Sequence, residues 1–256
     1  MKKFFPGFLL TFALVWAGCA QPATPETPPS LTPSLSPSLT STVEWFPATH
    51  TPAPPPSVVA SPTVELLEGV GSVAFREDFE SLDEWMVPNT SRGEINLDRG
   101  QMNIIILEPQ TYLTAIRESP EFDSFYAEVE VSTSLCQGKD EYGVLFRAAG
   151  PGNYYRYALS CDGEVRLEKL IGGSAVALQP WTPSASVPPA APSQTTLGIL
   201  AEQDQLTLFI DQVRQFSIAD SELIRGTMGV YARSVSETAV TVSFSRFVVR
   251  ELVSSE

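Results

Sequence analysis

The chain has 256 residues and a formal net charge of −14, with 30 acidic residues against 16 basic ones and a single histidine. So acidic a chain has no broad basic surface for a phosphate backbone, which excludes nucleic acid as a partner. Because the histidine, His50, lies in a proline-rich segment, the rest of the chain has no imidazole for a serine or cysteine hydrolase site or a histidine-ligated zinc site.

Residues 1–18 have the order of a secretory signal. The positive pair Lys2-Lys3 precedes an almost wholly apolar run over residues 4–15, which is shorter than the roughly 20 residues of a membrane-spanning helix. The following Ala17-Gly18-Cys19 resembles the bacterial lipobox, in which the cysteine receives the lipid. We therefore expect a lipid anchor at Cys19 that holds the protein on the extracellular face of a bacterial membrane. The alternatives are an ordinary signal peptide with an incidental cysteine and a retained signal anchor.

Residues 19–65 are dominated by proline, serine and threonine. This composition cannot bury enough apolar surface to offset the entropy of ordering, so we expect a disordered tether with extended polyproline stretches. The predicted organisation is a signal peptide at 1–18, a tether at 19–65 and one folded domain at 66–252.

The predicted domain reads as a series of short strands separated by turns. Apolar and polar residues alternate from Phe125 to Val131, with the period of a half-buried strand. Tyr155, Tyr157 and Leu159 also alternate with polar or small neighbours. Turn residues stand at Gly150-Pro151-Gly152-Asn153 and Asp162-Gly163. With hardly any helical periodicity, the pattern predicts an all-β sandwich or barrel.

Several segments have sequence patterns that are known from other proteins. They are Phe75-Arg76-Glu77-Asp78-Phe79 with Trp85, Tyr142 to Arg147, Asn153 to Tyr157, Leu206 to Val213, Gly226 to Tyr231 and Val242 to Phe247. Together they resemble the concanavalin A-like (laminin G-like) jelly rolls of bacterial surface proteins. The resemblance implies a two-sheet antiparallel jelly-roll sandwich. Such relatives include a family called 3-keto-disaccharide hydrolases, sugar-binding modules and adhesive domains, so the fold does not choose a function.

The resemblance also bears on calcium. Many relatives have an aspartate in the closing segment that helps to hold calcium near the opening strand. This chain has Ser245 at that position. A calcium site shared with Asp78 is therefore not expected, and no cofactor or metal is predicted.

Residues on both sides of the Gly150 turn are candidates for ligand binding. If the two strands pair, Arg147, Tyr154 and Arg156 lie near one another on the face turned away from the core. Arginine and aromatic rings suit contact with sugars, carboxylates or phosphates, although a cross-strand pair with no ligand is the alternative. Trp181, in a predicted proline-rich loop at 179–192, is either a further ligand contact or a pin for that loop.

Two carboxylates stand two residues apart on one predicted strand. Glu128 and Glu130 therefore point to the same face, and retaining glycosidases need two carboxyl groups about 5 Å apart. Laminarinase-like relatives carry an E-x-D-x-E strand, whereas Glu128-Val129-Glu130-Val131-Ser132 has no third carboxylate. We predict no catalytic residue from this pattern and keep Glu128 and Glu130 as the candidates for the hydrolase alternative.

The remaining cysteines form an even pair if Cys19 carries lipid. In an exported chain, Cys136 and Cys161 are a candidate disulfide, with two separate buried thiols as the alternative. The sequence thus predicts a surface lipoprotein whose domain binds a glycan or an extracellular protein without catalysis. A glycoside-processing hydrolase and a structural or adhesive envelope protein are the alternative hypotheses.

Overall fold

The computed structural model describes Leu67 and residues 69–253, and its regular structure there is entirely β-strand. The predicted signal segment, Cys19 and the predicted tether lie outside the described residues. In the part that is described, no helix has the length and apolar character to cross a membrane. The strands in chain order are β1 Val70–Glu77, β2 Trp85–Met86, β3 Gly93–Asp98, β4 Gln101–Ile106, β5 Tyr112–Arg117, β6 Phe125–Leu135, β7 Gly138–Ala148, β8 Tyr154–Cys161, β9 Glu164–Ile171, β10 Ser174–Pro183, β11 Ser193–Glu202, β12 Gln205–Ile210, β13 Val213–Ala219, β14 Thr227–Arg233 and β15 Val240–Leu252.

The strands form two antiparallel sheets. Sheet A has the order β13-β12-β11-β6-β15-β4-β3, and β1 also pairs with β15. Sheet B has the order β10-β9-β8-β7-β14-β5-β2. Both sheets bring together strands from distant parts of the chain, and the two layers form a jelly-roll sandwich. The predicted fold class is confirmed.

The core lies between the sheets because apolar side chains alternate along each strand. On β8, Tyr155, Tyr157 and Leu159 point inward and are fully buried. Their neighbours Tyr154 and Ala158 belong to a separate apolar cluster on the other side of sheet B. Each fully buried large apolar side chain contributes about 1.5–3 kcal/mol.

Two tight turns lie where the sequence predicts them. The backbone NH of Ala149 donates to the carbonyl of Asn153 at 2.9 Å and closes the β7–β8 hairpin, in which Gly150 has a φ of 110°. The β8–β9 hairpin turns at Asp162-Gly163, where Gly163 has a φ of 94°. Glycine adopts these left-handed conformations without the steric penalty of a Cβ.

Arg147 does not lie on the outward face of sheet B, contrary to the sequence-based expectation. Thr227 of β14 pairs with Ala148 and Gly229 pairs with Leu145, so two residues of β7 face one residue of β14. This β-bulge gives Arg147 a φ of 49° and buries its side chain completely. The bulge therefore corrects the prediction that Arg147 binds ligand beside Arg156.

The buried guanidinium of Arg147 serves the fold. It donates to the backbone carbonyls of Asp123 at 2.7 Å, Gln203 at 2.7 Å and Leu223 at 3.1 Å. One side chain thereby ties three separate connections to β7. Burial lowers the pKa of Arg147, although nearby tyrosine and aspartate groups partly offset that effect.

Cys136 and Cys161 form a disulfide in the structure, with their Cα atoms 5.7 Å apart. The bridge joins the turn between β6 and β7 to the end of β8. The carbonyl of Cys161 also accepts a hydrogen bond from the backbone NH of Ala190 at 2.7 Å. This hydrogen bond holds the connection between β10 and β11 against the end of β8, next to the bridge.

Trp181 lies on a strand and not in the predicted loop. It belongs to β10, the edge strand of sheet B, which pairs with β9 through two register shifts between Ala177 and Thr182. Pro180 and Pro183 fit this strand because an edge strand needs no hydrogen-bond partner on its outer side. The prolines that predicted a loop therefore mark an irregular edge.

Candidate functional site

Polar and aromatic side chains cluster on the outward face of sheet B. We call this group the arginine–aromatic cluster. Its members come from six neighbouring strands and are Tyr112, Glu141, Tyr154, Arg156, Arg166, Glu168, Trp181, Tyr231 and Arg233.

The strand register brings these residues together. Arg156 of β8 stands directly opposite Glu168 of β9, and Ala158 stands opposite Arg166. On the other side of β8, Ala158 faces Gly143 of β7. These two small residues leave space above the middle of the sheet for the long side chains around them.

The close approach of the neighbouring backbone also requires glycine at position 143. A Cβ atom on Gly143 would lie 1.9 Å from the carbonyl oxygen of Tyr157, so no larger residue fits without a shift of the backbone. Tyr231 of β14 pairs with Gly143 and is fully buried beside it. A side chain at position 143 would therefore disturb the centre of the cluster.

Ion pairs run through the cluster as a continuous chain. Arg156 donates to Glu168 through both Nε, at 2.9 Å, and Nη2. Arg166 connects Glu168 at 2.9 Å to Glu141 at 2.7 Å. Arg233 donates to the other oxygen of Glu141 at 2.9 Å. Three arginines thus alternate with two glutamates, so these five side chains together have a net charge of plus one.

Aromatic rings surround the guanidinium groups. The Cζ atom of Arg156 lies 5.5 Å from the centroid of Tyr112 and 5.6 Å from that of Tyr231. The Cζ atom of Arg166 lies 4.3 Å from the centroid of Trp181. These distances are typical of cation–π contacts, which fix the plane of a guanidinium as well as its position.

Burial and neighbouring groups shift the pKa values of three cluster residues, Tyr112, Tyr231 and Arg156. Burial raises the pKa of Tyr112, and the nearby hydroxyl of Tyr154 raises it further. Burial also raises the pKa of Tyr231. Burial lowers the pKa of Arg156, but Tyr231, Tyr112 and Glu168 outweigh this effect and leave the pKa above its usual range. Tyr112 and Tyr231 therefore remain neutral and Arg156 remains charged around neutral pH.

An apolar cleft of about 310 Å³ adjoins the cluster at Tyr154. Met86, Val87 and Ile116 line it, and Pro151 of the β7–β8 turn contributes to its wall. The hydroxyls of Tyr112 and Tyr154 lie 3.1 Å apart beside it. The face therefore offers charged and hydroxyl groups in one part and an apolar surface in the next.

The structure brings together three of the four residues predicted to bind ligand. Tyr154, Arg156 and Trp181 share the outward face of sheet B, whereas Arg147 does not. Sequence reasoning missed Arg166 and Glu168. Their alternation on the strand after the Asp162-Gly163 turn is the signal that places them beside Arg156.

Glu128 and Glu130 lie elsewhere, on the outward face of sheet A. Glu128 accepts a hydrogen bond from the hydroxyl of Tyr126 at 2.7 Å. Glu130 accepts one from Arg246 at 2.6 Å. The predicted carboxylate pair therefore belongs to the opposite side of the sandwich from the cluster.

A metal centre is not apparent in residues 69–253. Nowhere in this range do three or more histidine, cysteine, aspartate or glutamate residues converge as metal ligands. The carboxylates of the arginine–aromatic cluster contact arginines, which take the place that a cation would occupy.

Comparison with known proteins gives the fold but no family. No protein-family profile matches the chain, and no curated protein sequence matches it. Among solved structures, a carbohydrate-binding module of type CBM66 from Bacillus subtilis is similar at a TM-score of 0.55 and 16% identity, over 66% of this chain and 96% of the module.

Two further structures have the same architecture. A Bacillus subtilis protein of unknown function with a galectin-like fold has a TM-score of 0.57 and 13% identity, over 73% of this chain and 99% of that one. A Bacteroides ovatus GH16 protein, from a mixed-linkage glucan locus and bound to a product, has a TM-score of 0.52 and 9% identity, over 68% of this chain and 99% of that one. The chain therefore has a galectin-like or concanavalin A-like jelly-roll fold.

Proposed function

We propose that the protein is a carbohydrate-binding module that holds its ligand on the outward face of sheet B, between Trp181 and Arg233. The observation that carries this proposal is the stacked pair of Arg166 and Trp181, which a chain of buried ion pairs holds in position. Flat indole and guanidinium surfaces beside fixed donors and acceptors suit a sugar ring, which has an apolar face and a rim of hydroxyls.

A purely structural role does not explain the cluster. Buried ion pairs contribute little net stability compared with apolar residues of the same volume. Here Glu141, Glu168 and Arg156 are all at least nine-tenths buried on a face that is turned away from the main core. Such a network has value where it fixes the orientation of groups for a ligand.

The comparisons support a sugar ligand. The similar structures include a module named for carbohydrate binding and a protein in complex with a glucan product. The hydrolase alternative receives no support from the cluster itself. A glycosidase needs a carboxyl group that faces the substrate, whereas Glu141 and Glu168 are each engaged in ion pairs with two arginines.

A glycan array with the full chain tests the proposal. Trp181→Ala removes the stacking surface without touching an ion pair, so we expect at least a tenfold weaker binding, equal to about 1.4 kcal/mol. Arg225→Ala is the control, because this exposed arginine pairs with Glu121 in another part of the chain. Equal binding by the wild type and Trp181→Ala, with unchanged unfolding midpoints, would refute the site.

We propose further that a lipid on Cys19 holds the protein on the outside of a bacterial membrane. Support comes from the signal-like residues 1–18 and the proline-rich segment after them. Labelled palmitate should enter the chain in a bacterial host, and Cys19→Ser should abolish labelling and release the protein. Labelling that survives Cys19→Ser would contradict the anchor.

A further inference from the structure

The outward face of sheet A carries polar side chains in register across five neighbouring strands. We call them the amide–hydroxyl row, and its members are Asn96 on β3, Asn103 on β4, Ser243 on β15, Ser132 on β6 and Gln194 on β11. The amide of Asn103 donates to Asn96 at 3.1 Å, and the hydroxyl of Ser243 donates to Asn103 at 2.6 Å. One half of the row is thus connected by internal hydrogen bonds.

The other half of the row opens into a cleft of about 390 Å³. Glu130 and Arg246 cross this cleft as an ion pair with a separation of 2.6 Å. The amides of Gln101 and Gln194 line the same cleft. Among the described residues, neither amide has a hydrogen-bond partner, so both are available to a ligand.

Two arginines at this cleft have left-handed backbone conformations. Arg99, in the turn between β3 and β4, has a φ of 52°, and Arg246, beside a register shift in β15, has a φ of 48°. Glycine or asparagine adopts this conformation more easily than arginine.

Arg147 has a similar φ, and its three buried carbonyl partners explain why arginine occupies that position. The side chains of Arg99 and Arg246 are instead 90% and 73% exposed. The conformation of Arg99 belongs to the two-residue turn in which Asp98 pairs with Gln101, and that of Arg246 belongs to the irregular stretch between Ser245 and Val248. Both exposed side chains border the same cleft.

The chemistry of the surface indicates its ligand. A protein partner requires an apolar centre at its interface, which a row of amides and hydroxyls does not offer. A polyanion is disfavoured because Glu130 neutralises Arg246 and Asp98 lies beside Arg99. Mixed donors and acceptors without strong net charge suit the hydroxyls of a neutral saccharide.

The spacing of the row fits an extended chain of sugars. Neighbouring strands lie about 4.8 Å apart, so the row repeats its polar groups at intervals close to the length of one pyranose unit. We propose that the outward face of sheet A is a second glycan site, which binds a neutral polysaccharide across the strands along the amide–hydroxyl row and the Glu130–Arg246 cleft.

This site is separate from the arginine–aromatic cluster, which lies on the other sheet. A molecule with both sites can hold two polysaccharide chains, or two parts of one chain, and gains avidity where both are engaged. The second site also gives Glu130 a role as a sugar-hydroxyl acceptor.

Affinity electrophoresis of the full chain tests the second site independently of the first. The gels contain mixed-linkage glucan, fructan or galactomannan, and all variants carry Trp181→Ala to weaken the first site. We expect Trp181→Ala alone to keep residual retention in at least one gel. Adding Gln101→Ala and Gln194→Ala should weaken that retention at least fivefold. Gln205→Ala, an exposed amide at another part of sheet A, is the matched control and should change nothing.

The outcomes separate the two sites. Residual retention that Gln101→Ala and Gln194→Ala do not alter overturns the second site and leaves the first one untouched. Complete loss of retention in Trp181→Ala, or no retention of the wild type in any gel, also overturns it. Stronger retention of the Trp181→Ala chain by carboxymethylated glucan than by the neutral glucan overturns the assignment of a neutral ligand.

Discussion

The guanidinium of Arg166 lies over the indole of Trp181, with 4.3 Å between its Cζ atom and the ring centroid. The pair joins the edge strand β10 to its neighbour β9. Glu141 accepts a hydrogen bond from Arg166 at 2.7 Å, and Glu168 forms an ion pair with it at 2.9 Å, so the two carboxylates together set the position of its guanidinium. The position of Arg166 over Trp181 therefore depends on the ion pairs of Arg166 with Glu141 and Glu168.

Glu168→Gln is expected to destabilise the domain strongly. The change leaves Arg156 without its counter-charge in a buried place, which costs about 3–5 kcal/mol, and leaves Arg166 paired with Glu141 alone. Urea unfolding measures this loss. Glu130→Gln is the control, because its partner Arg246 is exposed and such a pair contributes about 1 kcal/mol or less. Similar losses in both variants would show that the buried network contributes no more than a surface pair.

Arg147→Lys is expected to lower the free energy of unfolding by about 3 kcal/mol or more. A single ammonium group cannot reproduce the planar contacts of the guanidinium with three carbonyls, and each buried carbonyl without a partner costs about 1–3 kcal/mol. Arg246→Lys, at a similar φ but with an exposed side chain, should change stability by about 0.5 kcal/mol or less. If Arg147→Lys has an equally small effect in chemical denaturation, the hydrogen bonds of Arg147 to the three carbonyls do not stabilise the domain.

Loss of the disulfide is expected to destabilise the domain by about 3 kcal/mol, since the bridge closes a segment with a sequence separation of 25. The double variant Cys136→Ser and Cys161→Ser should show this loss in thermal or urea unfolding. Reduction of the wild type should give a similar shift, whereas the double variant should not respond to reductant. A wild type that is indifferent to reductant under partially unfolding conditions would argue against the bridge.

We expect the domain to lose stability in acid, partly because Asp220 becomes protonated. Burial raises the pKa of Asp220, but hydrogen bonds from Lys169 and Tyr155 outweigh it and lower the pKa below its usual range. A carboxylate with a lowered pKa contributes stability above its unfolded value, near 3.9, and loses that contribution as pH falls through the folded value.

Asp220→Asn should therefore reduce stability at pH 7 and flatten the dependence on pH below about 4. Chemical denaturation at a series of pH values gives the slope. The exposed Asp83→Asn serves as the control and should keep the slope of the wild type. If Asp220→Asn also keeps that slope, the contacts of Asp220 do not contribute to acid sensitivity.

The faces of individual strands follow from the sequence because side-chain alternation is local. The separation of Tyr155 and Tyr157 from Tyr154 and Arg156 needs only the period of two residues along β8. The turn at Asp162-Gly163 is also local, and its length sets the register that places Glu168 opposite Arg156.

Two errors of sequence reasoning have tertiary causes. Arg147 lies on the inner side of sheet B, and not on the predicted outward face, because β14 pairs with β7 through a bulge. The extra residue of the bulge turns the following side chain to the other face. Trp181 lies on a strand despite Pro180 and Pro183 because β10 is the edge of its sheet. Both features depend on the neighbouring strand, which the local pattern does not reveal.

The amino-acid pattern alone specifies strands, turns and their apolar faces, since these depend on residues a few positions apart. The composition of the arginine–aromatic cluster depends on strand order. Tyr112 and Tyr154 share a hydroxyl contact across 42 positions, and Arg233 reaches Glu141 across 92. The same holds for the amide–hydroxyl row, in which Ser243 bonds Asn103 across 140 positions. Only packing of the two sheets selects these partners, because many strand orders bury the same apolar residues equally well.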